Sequence, residues 1–294
     1  MMDEMVYRSR SQTYKTLFSD SSRWDHFIDR RDDVFICTPP KSGTTWTQTI
    51  CALLLLGWDD FTVNLSDISP WYDATFDTVE QMNFRLNAQQ HRRFIKTHTP
   101  LDGITYSPNA TYIAVYRDPL DVFFSMQNHM KNMNLPAGTA LPASSVLFQD
   151  WILRPAKVGN KSLFSLEAIV LHYKSFKQYS NLNNIHFFHF TAMKQFPVNT
   201  VRQIAEILGV SIDRSGVSSV VHQSSFVNMR ANPKQFTPNV DLDLWKKDED
   251  FFASGQNNQW HGILSEEDLS VYSTRLNDLL NANESAWIST GIKT

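Results

Sequence analysis

Two cysteines, Cys37 and Cys51, are all that 294 residues contain, and both sit inside apolar runs. Two thiols can build neither a disulfide framework nor a four-ligand zinc site, which leaves buried free thiols in a reducing compartment as the simple reading. Charge of one sign is equally scarce: 27 basic against 30 acidic side chains leave a formal net charge of -3. A chain-wide basic field of the kind that holds nucleic-acid phosphates is therefore excluded. Nucleic acid is not an expected partner, and any anionic ligand must be met by a few placed charges. Long hydrophobic runs are missing too. Even Ile50 to Leu56 falls far short of the roughly 20 apolar residues a spanning helix requires. The first residues carry Asp3, Glu4, Arg8, Arg10, Lys15, Asp20 and Arg23, a pattern unlike a signal peptide or membrane anchor. A cytoplasmic protein with no membrane partner is the expectation. No Asp/Glu/His cluster has metal-ligand spacing, so no metal is expected.

What is present is an ordinary globular composition, 42% hydrophobic and 19% charged. A chain of this length buries most of its apolar surface on folding, and nowhere does a second core begin. Residues 1–294 read as one domain, with 1–32 as an N-terminal segment. Four β-type runs stand out at Val34 to Thr38, Arg93 to Thr97, Thr111 to Tyr116 and Ile185 to Phe190. Helix-type segments follow at Thr44 to Leu56, Pro119 to Met133 and Val198 to Leu208, the last with Gly209 as its stop. Strands alternating with helices predict an α/β fold, a central parallel sheet flanked by helices, with ligands at the carboxyl ends of the strands. Leu163 to Ser180 has helical spacing of apolar residues, and the proline-containing stretch Asn134 to Ser145 reads as a surface loop. Ser224 to Asn258 reads as a long irregular stretch covering the site.

The first strand runs into Pro39-Pro40-Lys41-Ser42-Gly43-Thr44-Thr45-Trp46 and then a helix. A strand, a glycine-containing turn and a helix N-terminus present backbone N–H groups to an anion. Lys41 adds a point charge, and Thr44 and Thr45 add hydroxyls. A capped helix after a β-turn would explain Ser42 and Thr44 alone, but not the lysine and paired threonines together. The order differs from a nucleotide triphosphatase loop, in which lysine follows the last glycine; here it precedes Gly43 by two residues.

These residues resemble the cytosolic sulfotransferases, which use 3'-phosphoadenosine 5'-phosphosulfate (PAPS). Pro40 to Trp46 is similar to that family's 5'-phosphosulfate loop, including Lys41, Ser42, Gly43, Thr44, Thr45 and Trp46. Lys96-Thr97-His98-Thr99-Pro100 is similar to the family's Lys-Thr-His-Leu-Pro. The resemblance makes His98 the general base, with Lys41 and Lys96 beside the transferred group. A histidine at a strand end can also be purely structural. Arg117 and Ser125 match the residues that bind the donor's 3'-phosphate, while Asp118 and Pro119 read as helix N-cap and first helical residue. Ser224-Ser225-Phe226 looks like the segment that, with Trp46, sandwiches the adenine. The resemblance spans about residues 33–265, with its motifs in the family's order.

Three departures accompany it. The family's Arg-Lys-Gly element, which sets two cations beside the 3'-phosphate, aligns with Ala253-Ser254-Gly255. A hydrogen bond to a charged group contributes ~1.5–3 kcal/mol, so each uncompensated loss corresponds to roughly tenfold or more in affinity. Arg230, Lys234, Lys246 and Lys247 are candidate replacements. Phe190-Thr191-Ala192-Met193 stands where the family has Tyr-Glu-Asp-Met, which leaves Phe190 without a hydroxyl near the adenine. The family's dimer motif after Trp260 is absent, which leaves oligomeric state open.

On the acceptor side, Trp71, Tyr72, Phe76 and His129 fall where the resemblance places acceptor-lining residues. Core packing explains each of them equally well. The implied reaction is sulfuryl transfer from PAPS, with adenosine 3',5'-bisphosphate as product, to the hydroxyl or amine of a small molecule. A nucleotide-binding module without catalysis and a small-metabolite kinase are the rival readings.

Overall fold

The computed structural model describes residues 6–57, 63–135, 142–156, 164–238 and 242–292. At its centre is β1 (Val34–Cys37), four apolar residues in succession and all fully buried. A strand covered on both faces needs such a run. Its side chains alternate, so Val34 and Ile36 enter one core while Phe35 and Cys37 enter the other. β2 (Phe94–Thr97), β3 (Thr111–Tyr116) and β4 (Ile185–His189) complete a parallel sheet in the order β2-β1-β3-β4. β1 is thus flanked by β2 and β3, and the chain reverses direction of travel across the sheet beside it. The crevice beyond the carboxyl ends at such a point is where open α/β sheets hold ligands.

The helices in chain order are α1 (Thr44–Leu56), α2 (Leu65–Ile68), α3 (Val79–Ala88), α4 (Pro119–Asn132), α5 (Ser144–Leu153) and α6 (Leu166–Lys177). They continue as α7 (Phe190–Gln195), α8 (Pro197–Leu208), α9 (Arg214–Gln223), α10 (Phe226–Ala231), α11 (Pro233–Phe236), α12 (Glu266–Leu279) and α13 (Ala282–Thr290). Residues of α1, α8, α9, α10 and α11 share a core with Val34, Ile36, Ile113 and Val115. Residues of α4, α5, α6, α12 and α13 share the opposite core with Phe35, Cys37, Tyr112, Ala114 and Tyr116. Cys37 and Cys51 are both buried and free.

The four strands and the helix starts after β1 and β3 lie where the sequence places them, and Gly209 ends α8 in the left-handed region at φ 67°. α6 is shorter than Leu163 to Ser180 because Ser165 caps it, its hydroxyl accepting the N–H of Ala168; Leu163 lies outside the described residues. Within Asn134 to Ser145 the chain is already helical at Ser144, and residues 136–141 lie outside the description. The expected irregular stretch from 224 to 258 instead contains α10, α11 and a 3-10 turn at Asp248–Phe251. Ser225 caps α10 and Pro233 opens α11. One-turn helices are too short to leave a 3.6-residue apolar pattern, so local caps rather than periodicity carry them. The N-terminal segment packs into the body: Tyr14 and Trp24 are buried, and Arg8 bridges to Tyr106. Among the described residues no helix is long and apolar enough to cross a membrane.

Candidate active site

Register decides which side chains meet beyond the sheet. Cys37 pairs with Thr97 on one side and Ala114 on the other, so Thr38 and His98 leave their strands side by side. The Nδ1 atom of His98 lies 2.8 Å from the carbonyl oxygen of Thr38. A carbonyl can only accept, so Nδ1 carries the proton and Nε2 holds the free lone pair. Burial and the charges of Lys96 and Lys41 push the imidazole down to about 3, against the opposing pull of the Thr38 carbonyl. His98 is therefore neutral at physiological pH.

The turn after β1 is built around two residues in the left-handed region, Lys41 at φ 68° and Gly43 at φ 105°. For lysine this conformation costs about 1–2 kcal/mol, which the surrounding turn must offset. At Gly43 the close approach of Phe190 matters as well, because a Cβ there would stand 2.9 Å from its ring. Gly43 caps α1 without a side-chain hydrogen bond, whereas Asp118 caps α4 through its carboxylate. The first N–H groups of α1 are thus open to an anion. The Ser42 hydroxyl is buried without a hydrogen-bond partner, and Thr44 is held by the Thr38 hydroxyl at 2.5 Å. Thr45 and Trp46 are half-buried in the first turn, and the Trp46 ring meets Phe190 edge-on at 5.5 Å.

Three cations converge on this turn. Burial first, then the charges of Arg117 and Lys96, bring Lys41 down to about 7. Burial brings Lys96 to about 8, with Asp73 working against the shift. Arg117 is buried, with its charge over the Phe190 ring at 4.4 Å and Nη2 donating to the Gln256 carbonyl at 2.5 Å, while its Nε is buried without a partner. Ser125 stands half-buried on α4, two turns beyond Arg117. Cations that repel one another in a desolvated crevice make a site for an anion. Among the described residues there is no group of three or more His, Cys, Asp or Glu able to hold a metal ion.

Phe226 packs against Gly255, where a Cβ would lie 2.5 Å from its ring, and Gly255 sits at φ 61°. Ser224 is buried at the end of α9, its N–H on the Val220 carbonyl. Ala253 gives its carbonyl to Arg230 at 3.4 Å, and Ser254 donates to Gln259 at 3.0 Å. Of the candidate replacement cations, Lys246 is turned away onto the Lys131 carbonyl at 2.7 Å.

The residues expected to line an acceptor pocket divide sharply. Trp71 meets His98 edge-on at 5.0 Å and lies under Lys96 at 5.5 Å, and Phe76 contacts Trp71 at 6.4 Å. Tyr72, expected to line the acceptor pocket, is instead fully buried against Trp24 and Phe27, its hydroxyl donating to the Arg23 carbonyl and Asn83 Oδ1. A turn runs from Trp71 to Ala74, closed by the Ala74 N–H on the Trp71 carbonyl, and Tyr72 within it is directed into the core. His129 is not simply a pocket wall, since its Nδ1 lies 3.1 Å from Lys41 Nζ. Burial and the neighbouring cations hold that imidazole well below its ordinary value, so the lysine is the donor.

Two residues with a bearing on the site escaped the sequence. Asp73, fully buried, accepts from the hydroxyls of Thr97 and Thr99, the residues on either side of His98. Lys194, on α7, donates to the Gly255 carbonyl at 2.8 Å. A carboxylate spaced from two threonines, or a lysine on a short amphipathic helix, carries no local signal; only the fold brings them in.

Residues 31–281 match the sulfotransferase domain family. A glycolipid sulfotransferase of Mycobacterium bovis is 31% identical over 99% of this chain and 96% of its own length. The glycolipid sulfotransferase of Mycobacterium tuberculosis is similar to the same degree. Mouse sulfotransferase 2B1 is 28% identical over 69% of this chain and 57% of its own. Among solved structures, a mouse sulfotransferase complexed with PAP superimposes with a TM-score of 0.73 at 18% identity, covering 94% of this chain and 97% of that one. A retinol dehydratase complexed with androsterone and PAP gives 0.73 at 17%, covering 90% and 87%.

Proposed function

The chain belongs to the sulfotransferase domain family, and from that premise we propose that it moves the sulfuryl group of PAPS to a hydroxyl of a small-molecule acceptor, with His98 as the base. One observation carries the assignment of roles: a neutral imidazole with its free Nε2 lone pair shares the strand ends with Lys41 and Lys96.

The orphaned Ser42 hydroxyl, the orphaned Arg117 Nε and the uncapped start of α1 fit a nucleotide with anionic groups at both its 5' and 3' positions. The 5'-phosphosulfate would lie on the turn from Lys41 to Thr45. Its nucleoside would extend towards Trp46, Phe190, Ser224, Phe226 and Gly255, with the 3'-phosphate towards Arg117 and Ser125. In the transfer, the acceptor oxygen forms a bond to sulfur as the bond from sulfur to the 5'-phosphate oxygen breaks. The acceptor proton passes to His98 Nε2, and the electron pair leaves with adenosine 3',5'-bisphosphate. Lys41 meets the charge that grows on the bridging oxygen, and Lys96 meets that on the sulfuryl oxygens.

The ring contacts from His98 to Trp71, Phe76 and Phe18 run outward from the base and suit an acceptor whose non-reacting part is apolar. The similar mycobacterial proteins, named for glycolipids, put lipid-linked sugars on the acceptor panel beside phenols and alcohols. The experiment is incubation with PAPS and that panel, with and without EDTA, following formation of the bisphosphate. Acceptor-dependent, EDTA-insensitive turnover is expected; EDTA-sensitive turnover, or none across the panel, overturns the reading.

A further inference from the structure

The segment 253–255 lacks the two cations that the donor's 3'-phosphate calls for, and the fold brings one in from elsewhere. Arg117 alone is poorly placed to meet a dianion. Its Nη2 lies 3.8 Å from Asp121, which shares its charge, and Asp118 is next to it in sequence. Lys194 reaches the same place from α7. Its ammonium donates to the Gly255 carbonyl at 2.8 Å, one residue from the Gln256 carbonyl that Arg117 grips at 2.5 Å. The two cations therefore hold successive carbonyls of one strand of backbone, close enough that the charge of Arg117, after burial, depresses the Lys194 ammonium. α7 starts at Phe190, the ring that lies under Arg117, so the same short helix carries both the floor and the second cation.

We propose that Lys194 supplies the cation for the 3'-phosphate that Ala253 and Ser254 do not, acting with Arg117 as a two-point clamp. This rests on the donor assigned above. Carbonyl contacts are what these donors make until a phosphate offers oxygens of full negative charge, which bind ammonium and guanidinium more strongly. Arg230, which reaches the Ala253 carbonyl and lies 3.8 Å from Asp250, also tethers the segment.

The test is calorimetric titration of the full chain with adenosine 3',5'-bisphosphate and with adenosine 5'-monophosphate, in the wild type and in Lys194→Gln, Lys194→Met and Lys194→Arg. Glutamine keeps an N–H donor for the Gly255 carbonyl but removes the charge. The wild type should prefer the bisphosphate. Lys194→Gln and Lys194→Met should lose about tenfold or more for the bisphosphate and nothing for the monophosphate, and Lys194→Arg should retain the preference. Unchanged bisphosphate affinity in Lys194→Gln, or equal losses for both nucleotides, would overturn the clamp. A wild type that does not distinguish the nucleotides would overturn the donor assignment itself.

Discussion

His98 and Thr38 are joined by a 2.8 Å contact from imidazole Nδ1 to carbonyl oxygen, and that contact settles which ring nitrogen is free. It exists because β1 and β2 pair in parallel with Cys37 opposite Thr97, so the first residues past both strands emerge together. If Nε2 takes the acceptor proton, His98→Ala should lower kcat by about 10²–10⁴-fold. Calorimetric affinity for adenosine 3',5'-bisphosphate should stay at the wild-type value. Turnover that survives the substitution would remove His98 from the base role.

The pH profile follows from the same cluster. An ammonium is lost as pH rises through its pKa, and Lys41 and Lys96 sit at about 7 and about 8. Because kcat/KM reports the free enzyme, kcat/KM for PAPS should decline above neutrality. His98, at about 3, is already neutral well below that range, so no acid limb should appear at the ordinary imidazole value near 6.5. An acid limb there would show that His98 is protonated in the free enzyme.

Asp73 bonds to both neighbours of His98 and its charge props up the Lys96 ammonium. In Asp73→Asn, Lys96 should lose its proton at lower pH, and the alkaline decline of kcat/KM should move to lower pH with it. Replacing a charged acceptor of two hydroxyls by a neutral amide should also cost about 1–3 kcal/mol of stability, read by urea unfolding. Lower stability with an unmoved profile would confine Asp73 to a structural role.

Arg93 and Asp33 form a fully buried ion pair at 2.5 Å where β1 and β2 begin. Removing one partner leaves an uncompensated buried charge, so Arg93→Leu should lower the unfolding free energy by about 3–5 kcal/mol. The double variant Asp33→Leu with Arg93→Leu should recover much of that loss. Equal losses in both would mean the pair matters through shape rather than charge.

Gly43 and Gly57 share φ 105°, but a Cβ at Gly43 would meet Phe190 at 2.9 Å while one at Gly57 would meet nothing within 4 Å. Gly43→Ala should therefore weaken bisphosphate binding and Gly57→Ala should not, although both lose stability through strain. Calorimetry on the two variants separates backbone strain from collision with the Phe190 ring.

Legibility in the sequence tracked the range of the interaction. β1 and α1 were readable because a fully apolar run and a glycine turn are local signals, as were the caps of α4 and the glycine stop of α8. α10 and α11 were not, because one-turn helices leave no period to detect. Trp71 and Tyr72 are neighbours in sequence, and only the turn that starts at Trp71 puts one beside His98 and the other against Trp24.

The amino-acid order by itself determined the parallel α/β plan, the strand–turn–helix at Lys41 to Thr45 and the candidacy of Lys41, Lys96, His98 and Arg117, because strand composition, turn chemistry and helix capping act within a few residues. Tertiary structure alone decided the free nitrogen of His98, the hold of Asp73 on Thr97 and Thr99, the contact of His129 with Lys41 and the arrival of Lys194 beside Arg117. Each of these depends on strand register or helix docking, which join residues far apart in the chain. The low net charge first seen in the composition is therefore no measure of the site, where folding gathers Lys41, Lys96, Arg117 and Lys194 from distant parts of the chain.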